Sequence, residues 1–251
     1  MIRDPLRFSN ALQTVSCSVL TSIIRNDTTY GTMSTEEFID QSLAKGIRRS
    51  ITRRHREFLA AGVKDHLDYN RSWTRFSTQV IERYRQMLGN DNVLIVRNTS
   101  SRAQLFCVVD DDGGVGLAMQ FELRRRGTRR DIEKKCEMYV PIAITSHFRE
   151  RLIQVPKQLN PGIAVLLHAL YKAVQRHFVS AVDGGGDVYP DWLVNTGRFA
   201  FAYSGLLIFG DFHQNTDLVC RTVIRHDRLE RHNEAIWNRA TASPGHFAVY
   251  E

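Results

Sequence analysis

The stretch Val140-Pro-Ile-Ala-Ile-Thr-Ser-His-Phe-Arg-Glu-Arg-Leu152 joins an apolar run to a polar segment that favours a helix. The run ends at Thr145-Ser146, which predicts a strand over 138–144 and a short helix that continues to about Gln154, with Ser146 as its N-cap. Pro141 has no N–H to donate to a ladder, so it suits an edge strand or a bulge. The stretch therefore predicts a strand that leads directly into a helix.

Two helical segments precede the junction. A capping-box pattern at 34–37 is followed by apolar residues every fourth position, namely Ile39, Leu43, Ile47 and Ile51. The segment 72–88 carries a clearer stripe before the stop signal Gly89-Asn90, formed by Trp73, Phe76, Val80, Tyr84 and Met87. This spacing of Trp73 and Tyr84 indicates core residues, with a stacking platform for bases as the alternative.

The sequence pattern changes to strands after Gly89. Alternating or continuous apolar runs predict strands over 92–96, 104–109 and 115–123, with the turn-rich 110–114 joining the last two as a hairpin. Beyond the junction we expect a helix that begins at Asn160-Pro161 and runs to about 180, and a glycine-rich connector at 184–187. Short strands over 199–203, 206–209 and 218–224 and a helix to about Arg239 complete the chain, whose end is predicted to be irregular.

These elements predict an α+β fold. A helical N-terminal part, 1–90, precedes a mainly antiparallel sheet flanked by helices, 91–251, and the two parts can pack as one domain. The chain of 251 residues is 43% hydrophobic and 24% charged, a composition that can bury a core without disulfides or metal. Its scattered cysteines, with no C-x-x-C pair, favour buried free thiols in a reducing cytoplasm: Cys17, Cys107, Cys136 and Cys220.

The charge of the chain favours a polyanionic partner. Thirty-four basic residues against 27 acidic ones give a net charge of +7, with a pI of about 9.4. Arginine dominates the cations, and its guanidinium binds phosphate bidentately. The segment 11–24 is too polar for a signal peptide, and no apolar run is long enough to span a membrane, so we expect a cytoplasmic protein that does not bind membranes.

The helix after Thr145 is the first candidate site. His147 and Arg151 are four residues apart and share a face, and Glu150 lies within hydrogen-bonding reach of His147. A neutral imidazole can transfer a proton at cellular pH while Arg151 stabilises phosphate charge. The alternative is a helix start whose polar side chains are only solvated. A second candidate is Arg221, in the middle of the strand 218–224, which either reaches a ligand or extends from a sheet surface into solvent.

A helix with the pattern H-x-x-x-R, from His147 to Arg151, is followed by a second helix and by short strands that end in Arg221-Thr222. Through these features, residues 138–226 resemble the barnase–EndoU–colicin–RelE superfamily of ribonuclease toxins. The resemblance implies metal-independent cleavage of RNA, in which the ribose 2′-OH attacks the adjacent phosphate. It implies that His147 is the general acid or base, that Arg151 and Arg221 stabilise phosphate charge, and that Thr222 orients the substrate. Three or four strands precede the helix here, which departs from the family pattern.

Two basic clusters are candidate nucleic-acid contacts. Between Gln41 and Ala60, one acid, Glu57, stands against six cations: Lys45, Arg48, Arg49, Arg53, Arg54 and Arg56. The second cluster contains Arg124, Arg125 and Arg126, and continues through Arg129, Arg130, Lys134 and Lys135. These cations either follow a nucleic-acid backbone or form a solvated face.

No metal or cofactor is expected. Asp211, His213, His226 and His232 lack the spacing of metal ligands, and the glycine-rich connector lacks the Lys-Ser/Thr of a phosphate-binding loop. The sequence therefore predicts a nucleic-acid-binding protein, RNA favoured over DNA, with metal-independent ribonuclease activity as the enzymatic form of that prediction. The alternative is a non-catalytic regulator that binds DNA or RNA, or an assembly protein that binds another protein through the same arginines.

Overall fold

An eight-stranded sheet with a single parallel pair organises the chain. The computed structural model describes residues 39–61, 72–111, 115–126, 131–183, 197–212 and 218–250. Their strands are β1 Val93–Asn98, β2 Arg102–Asp110, β3 Gly116–Arg126, β4 Asp131–Ile144, β5 Arg198–Tyr203, β6 Leu206–Phe212, β7 Leu218–Arg225 and β8 Phe247–Tyr250. Their order across the sheet is β1-β2-β3-β4-β7-β6-β5-β8. Only β4 and β7 pair in parallel; the other neighbours are antiparallel.

Five helices are described alongside the sheet: α1 Gln41–Ala61, α2 Trp73–Leu88, α3 Ser146–Ile153, α4 Ile163–Asp183 and α5 Arg231–Ala242. A 3₁₀ turn over Asn90–Asn92 joins α2 to β1. The described residues belong to one compact unit, which spans Glu37–Glu251. None of the described helices combines the length and the apolar character that crossing a bilayer requires.

The two faces of the sheet bury different sets of helices. On one face, α3 and α4 pack over nearly the whole width of the sheet in the largest core, which includes Phe106, Ile142 and Phe199. On the opposite face, α2 and Phe58 of α1 cover β2 and β3, whereas α5 packs on β5, β6 and β8. Between these two smaller cores, the centre of the opposite face carries the buried Ala143 and the half-buried Val219, which belong to neither. The Asp211 and Arg221 side chains lie next to this centre.

The α+β class is confirmed, as are the helices and strands predicted before position 125. Of the five stripe residues of α2, four are buried and Met87 packs half-buried against the same core, and α2 ends at Gly89, whose φ is 90°. Trp73 and Tyr84 are core residues, and the Trp73 indole donates a hydrogen bond to the Thr99 carbonyl over 2.7 Å. The predicted stacking platform is therefore not formed by this pair.

Other predictions need correction. In α1, residues four apart advance 40° beyond a full turn, so the predicted stripe drifts and Leu43 is 54% exposed. Gly162, at φ 84°, separates Pro161 from the helix, which begins at Ile163. The strand that contains Pro141 lies in the centre of the sheet and tolerates the proline through a register shift against Leu117 and Ala118. The end of the chain, predicted to be irregular, forms the edge strand β8.

Some predictions lie outside the described residues: the capping box at 34–37, the tip of the hairpin at 112–114 and the connector at 184–187. Cys107 and Cys220 are buried free thiols, as predicted, and burial raises the pKa of both. Gly210 of β6 illustrates how tightly the sheet packs, because a Cβ there would lie 2.3 Å from the Phe199 ring. The absence of a side chain allows the Phe199 ring to lie across β6.

Candidate nucleic-acid interface

Helix α1 has a buried face and a basic face. The buried face packs at the end of β2 and carries both apolar and polar side chains: Ala44, Ile47, Arg48, Ile51, Thr52, His55 and Phe58. On the other side, exposed cations recur along three turns at positions i, i+4, i+8 and i+11. This basic face consists of Lys45, Arg49, Arg53 and Arg56, all exposed. Arg54 is exposed on the opposite flank of the helix.

Arg48 does not belong to the basic face, although the sequence places it in the same cluster. Its Nε donates to Glu150 Oε1 of α3 over 2.9 Å, and the two side chains are only 19% and 10% exposed. A partly buried pair of this kind is screened little by salt and orients both side chains. The ion pair therefore holds α1 against α3 instead of presenting a cation to a ligand.

A buried polar network around Asp110, the last residue of β2, anchors α1. Thr52 Oγ1 donates to Asp110 Oδ2 over 3.0 Å, and Arg149 of α3 forms a short ion pair with Oδ1 of the same carboxylate. Arg149 also donates to Asn92 Oδ1 over 2.8 Å. Burial lowers the pKa of Arg149 while the Asp110 carboxylate opposes that shift, and an arginine with such a partner stays charged. One carboxylate thus joins α1, β2 and α3.

His55 completes this network as a neutral ring. Its Nδ1 accepts from the backbone N–H of Asp110, so its Nε2 carries the proton and donates to the Leu88 carbonyl; both distances are 2.9 Å. Burial lowers the pKa of His55, although the Leu88 carbonyl and the Asp110 carboxylate pull it upward. Both ring nitrogens are occupied, so the ring is suited to holding α1 in place and not to transferring protons.

A small cavity of about 60 Å³ opens beside the network. It lies where α1, the 3₁₀ turn, α3 and the start of α4 meet, and its polar lining comes from Asp91, Asn92, Arg149 and Asn160. A volume of this size corresponds to about two water molecules. The cavity is therefore too small to hold a nucleotide.

His147 and Arg151 both lie on the exposed side of α3. Thr145, and not Ser146, caps this helix, because its hydroxyl accepts from the backbone N–H of Phe148 over 3.1 Å. In the described part of the chain His147 has no hydrogen bond or ion pair. Glu150, predicted to reach His147, is turned inward to Arg48.

Arg221 and Thr222 lie on the face of the sheet opposite α3. Simple alternation predicts that they point to opposite faces, but the pairing with β6 skips Arg221: Gly210 faces Cys220 and Phe209 faces Thr222. This β-bulge puts Val223 into the core on the α3 face, together with Leu218 and Cys220. The Arg221 side chain pairs with Asp211, Nε to Oδ2, over 2.6 Å.

The start of α3 nevertheless lies beside Arg221. The Thr145 hydroxyl is 3.1 Å from the Arg221 carbonyl oxygen, and the Thr145 backbone N–H donates to the Cys220 carbonyl. The backbones near His147 and Arg221 are therefore adjacent, whereas the Arg221 side chain is directed toward Asp211. The side chains of the remaining predicted contacts, Arg124, Arg125 and Arg126 at the end of β3, are outside the described structure.

The buried network is the part of this region that sequence reasoning missed. A signal for it exists: Arg48, Thr52 and His55 follow the same helical face as Ala44, Ile51 and Phe58. Polar residues on an apolar face are buried only when they find partners. Those partners come from residues up to 102 positions away, so the sequence pattern alone does not identify them.

Within the described ranges, no group of three or more His, Cys, Asp or Glu side chains could hold a metal ion. The chain matches no known protein-family model, and comparison with curated proteins and with solved structures likewise finds no match.

Proposed function

We propose that this chain binds the phosphate backbone of a nucleic acid through the basic face of α1. The observation that carries the proposal is the exposure of Lys45, Arg49, Arg53 and Arg56 at successive turns of one helix. At 1.5 Å per residue these cations extend over about 16 Å, enough to contact several consecutive phosphates. The net charge of +7 adds a favourable long-range field.

The anchoring of α1 supports this proposal because it orients the cations before a ligand arrives. The Arg48–Glu150 ion pair, the Thr52–Asp110 hydrogen bond and the two hydrogen bonds of His55 hold the opposite side of the helix. A preorganised surface loses less conformational entropy on binding than a mobile segment does. We therefore expect binding that depends on position along α1 and not only on total charge.

Backbone recognition predicts a defined salt dependence. Four phosphate contacts correspond to a slope of log Kobs against log[salt] of about −3 for a single strand and about −4 for a duplex. For a single strand, affinity is then expected to fall about 50-fold between 50 and 200 mM salt. RNA is the favoured ligand because of the resemblance to ribonuclease toxins, and duplex DNA is the comparison ligand.

The experiment compares two double variants with the same change in charge. Arg49→Ala/Arg53→Ala removes two cations from the basic face, and Arg231→Ala/Arg239→Ala removes two exposed cations from α5. Fluorescence anisotropy with labelled single-stranded RNA, duplex RNA and duplex DNA is measured from 50 to 200 mM salt. We expect the α1 variant to make the slope less steep by about 1.5, and the α5 variant to leave the slope close to that of wild type.

Equal losses in the two variants would show non-specific attraction to a basic protein and would contradict the proposal. Alanine favours helices, and both pairs are solvent-exposed, so the fold should persist in each variant. Far-UV circular dichroism and thermal unfolding check that point before binding is compared.

Ribonuclease activity is a second candidate. The observation that favours it is the ion pair between Arg48 and Glu150, which holds the helix bearing His147 and Arg151 against α1. The exposed imidazole of His147 is therefore on a helix that α1 contacts directly. Incubation of a mixed RNA pool in EDTA tests this candidate: cleavage by wild type and none by His147→Ala supports it, and binding without cleavage by either protein rejects it.

A further inference from the structure

A second cationic cluster lies on the sheet, away from α1. It is at the edge where β5 and β7 begin and where β6 and β8 end. Tyr250, Arg198, Asp211 and Val219 are direct cross-strand neighbours in one row, β8-β5-β6-β7. The row follows Phe209 and Ala200 on the face that α5 covers, so the polar side chains emerge just beyond the end of that core. Strand spacing places neighbouring members about 5 Å apart.

The β-bulge brings two further groups to this row. Because the pairing skips Arg221, both Arg221 and Thr222 lie on the same face as Asp211. Arg221 uses its Nε for the Asp211 carboxylate, which leaves the N–H groups of both terminal nitrogens for another acceptor. Among the residues that the structure describes, neither the Arg198 guanidinium nor the Thr222 hydroxyl has a hydrogen bond or an ion pair. Three side chains at this row, those of Arg198, Arg221 and Thr222, can therefore donate hydrogen bonds to a ligand.

The charges of the cluster are unbalanced. Arg198 and Arg221 carry two positive charges against the single negative charge of Asp211, and the Arg221 and Asp211 side chains are 50% and 36% exposed. Both charged neighbours act on the Tyr250 hydroxyl. Burial raises the pKa of this hydroxyl, the positive charge of Arg198 lowers the pKa, and the negative charge of Asp211 raises it. Arg198 is therefore close enough to act on the same groups as Asp211, yet in the part of the chain that the structure describes Asp211 pairs with Arg221 and not with Arg198.

We infer that Arg198, Arg221 and Thr222 form a binding site for the dianionic phosphate of a phosphomonoester. Two guanidinium groups and a hydroxyl offer the bidentate and single hydrogen bonds that a tetrahedral oxyanion accepts. Asp211 orients Arg221 and also competes with the ligand for it. A phosphodiester carries one negative charge and a phosphomonoester carries almost two at neutral pH, so the excess positive charge of the cluster attracts the monoester more strongly.

This site is independent of the proposed function of α1 and shares no residue with it. The same phosphate chemistry is offered by inorganic phosphate and by the 5′-phosphate of an oligonucleotide. The second pKa of a phosphomonoester is about 6, so binding of a 5′-phosphate is expected to strengthen as pH rises from 5.5 to 7.5.

The test is calorimetric titration of the full chain with inorganic phosphate at pH 7.5 and low salt. We expect Arg198→Ala to weaken binding at least 5-fold and Arg198→Ala/Arg221→Ala to weaken it at least 10-fold, while Arg231→Ala/Arg239→Ala leaves it unchanged. Asp211→Asn should tighten it at least 3-fold, since the amide holds the same volume without the competing charge. Within the described structure Arg198 has no hydrogen bond or ion pair to lose, so its substitution keeps the test valid if Asp211→Asn fails to fold.

A second arm identifies the source of the phosphate. A short single-stranded RNA with a 5′-phosphate is compared with the same RNA that lacks it, both against the Arg49→Ala/Arg53→Ala variant to remove the contribution of α1. A 5′-phosphate-dependent gain that Arg198→Ala abolishes assigns the site to nucleic-acid ends; binding of inorganic phosphate alone assigns it to a free phosphate. Weaker phosphate binding by a folded Asp211→Asn variant, or wild-type binding by Arg198→Ala, overturns the inference.

Discussion

The Asp110 carboxylate accepts hydrogen bonds from Thr52 and Arg149, while the backbone N–H of the same residue donates to His55. In a buried site such a carboxylate is stable only with partners that compensate for its lost hydration. Each partner in turn gains an acceptor that it needs. The arrangement explains why α1 tolerates Thr52 and His55 on its inner face, whereas Arg48, the third polar residue there, pairs with Glu150.

At the same scale, two partly or fully buried histidines are expected to make the protein less stable in acid. Burial lowers the pKa of His168 to about 4, helped by Lys172, and burial also lowers the pKa of His55. The unfolded chain, with histidine pKa values near 6.5, therefore binds more protons than the folded chain between these values. Stability should be complete above pH 6.5 and fall as the pH drops toward 4.

Urea unfolding at pH 7 and pH 4.5, compared for wild type and His168→Phe, checks this prediction. Phenylalanine keeps the edge-to-face contact with Phe106, whose ring centroid is 5.3 Å from that of His168, but cannot be protonated. One proton contributes at most about 1.4 kcal/mol per pH unit, and solvent screening of this half-buried ring should reduce that figure. An equally steep loss of stability in both proteins would exclude His168 as a source.

At the scale of elements, α3 shows how a helix is attached to a sheet by its first residue. Thr145 follows β4 directly, caps α3 through Phe148 and contacts the carbonyl groups of Cys220 and Arg221 in β7. The hydroxyl can accept from the helix and donate to the strand at once. The sequence indicated a cap at this junction one residue later, at Ser146, because both residue types are good N-caps.

Thr145→Ala should destabilise the protein by about 1–2 kcal/mol, because it removes the helix cap and the hydrogen bond to β7 together. Thr78→Ala is the matched control: Thr78 is exposed in the middle of α2, and its hydroxyl donates within its own helix, to the Thr74 carbonyl. We expect that control to change the free energy of unfolding by no more than about 0.5 kcal/mol. Chemical denaturation of both variants decides, and equal effects would refute the capping role.

At the scale of the whole molecule, the sheet carries one broad core on the α3–α4 face and two smaller cores on the other. The polar network lies at the end of β2, where α1 meets both the α2 side and the α3 side of the sheet. Arg149 links three elements of the network, since it reaches Asp110 of β2 and Asn92 of the 3₁₀ turn from α3. Loss of the Arg149 side chain should therefore weaken the contacts between α1, β2 and α3.

We expect Arg149→Met to destabilise the protein by about 3–5 kcal/mol, because it leaves the Asp110 carboxylate buried without its cation. Arg151→Met, an exposed arginine of the same helix, is the control and should stay within about 0.5 kcal/mol of wild type. In a double-mutant cycle, Asp110→Asn together with Arg149→Met should cost less than the sum of the single changes. Additive effects would show that the two side chains are not coupled.

Sequence periodicity was sufficient for α2, whose apolar residues face a single core, and a continuous apolar run was sufficient for β2, which is buried on both faces. Periodicity failed where a single bulged residue changes which face the following side chains of a strand point to. It also failed where a strand is formed through pairing with a distant part of the chain. Arg221 is skipped in the pairing of β7, so the alternation is right before it and inverted after it. Strand β8 is only four residues long and is stabilised by pairing with β5, more than forty positions earlier in the chain.

Composition and local periodicity were sufficient for the α+β class, for the order of helices and strands up to β7 and for the excess of positive charge, because these features do not depend on contacts between distant residues. The fold placed Arg149 and Glu150 in the interior and Arg48 in a partly buried ion pair, and it put four polar residues on one face of the sheet: Arg198, Asp211, Arg221 and Thr222. The physical reason is that a charged side chain is buried or exposed according to the partner that folding brings to it, and that partner is distant in the sequence.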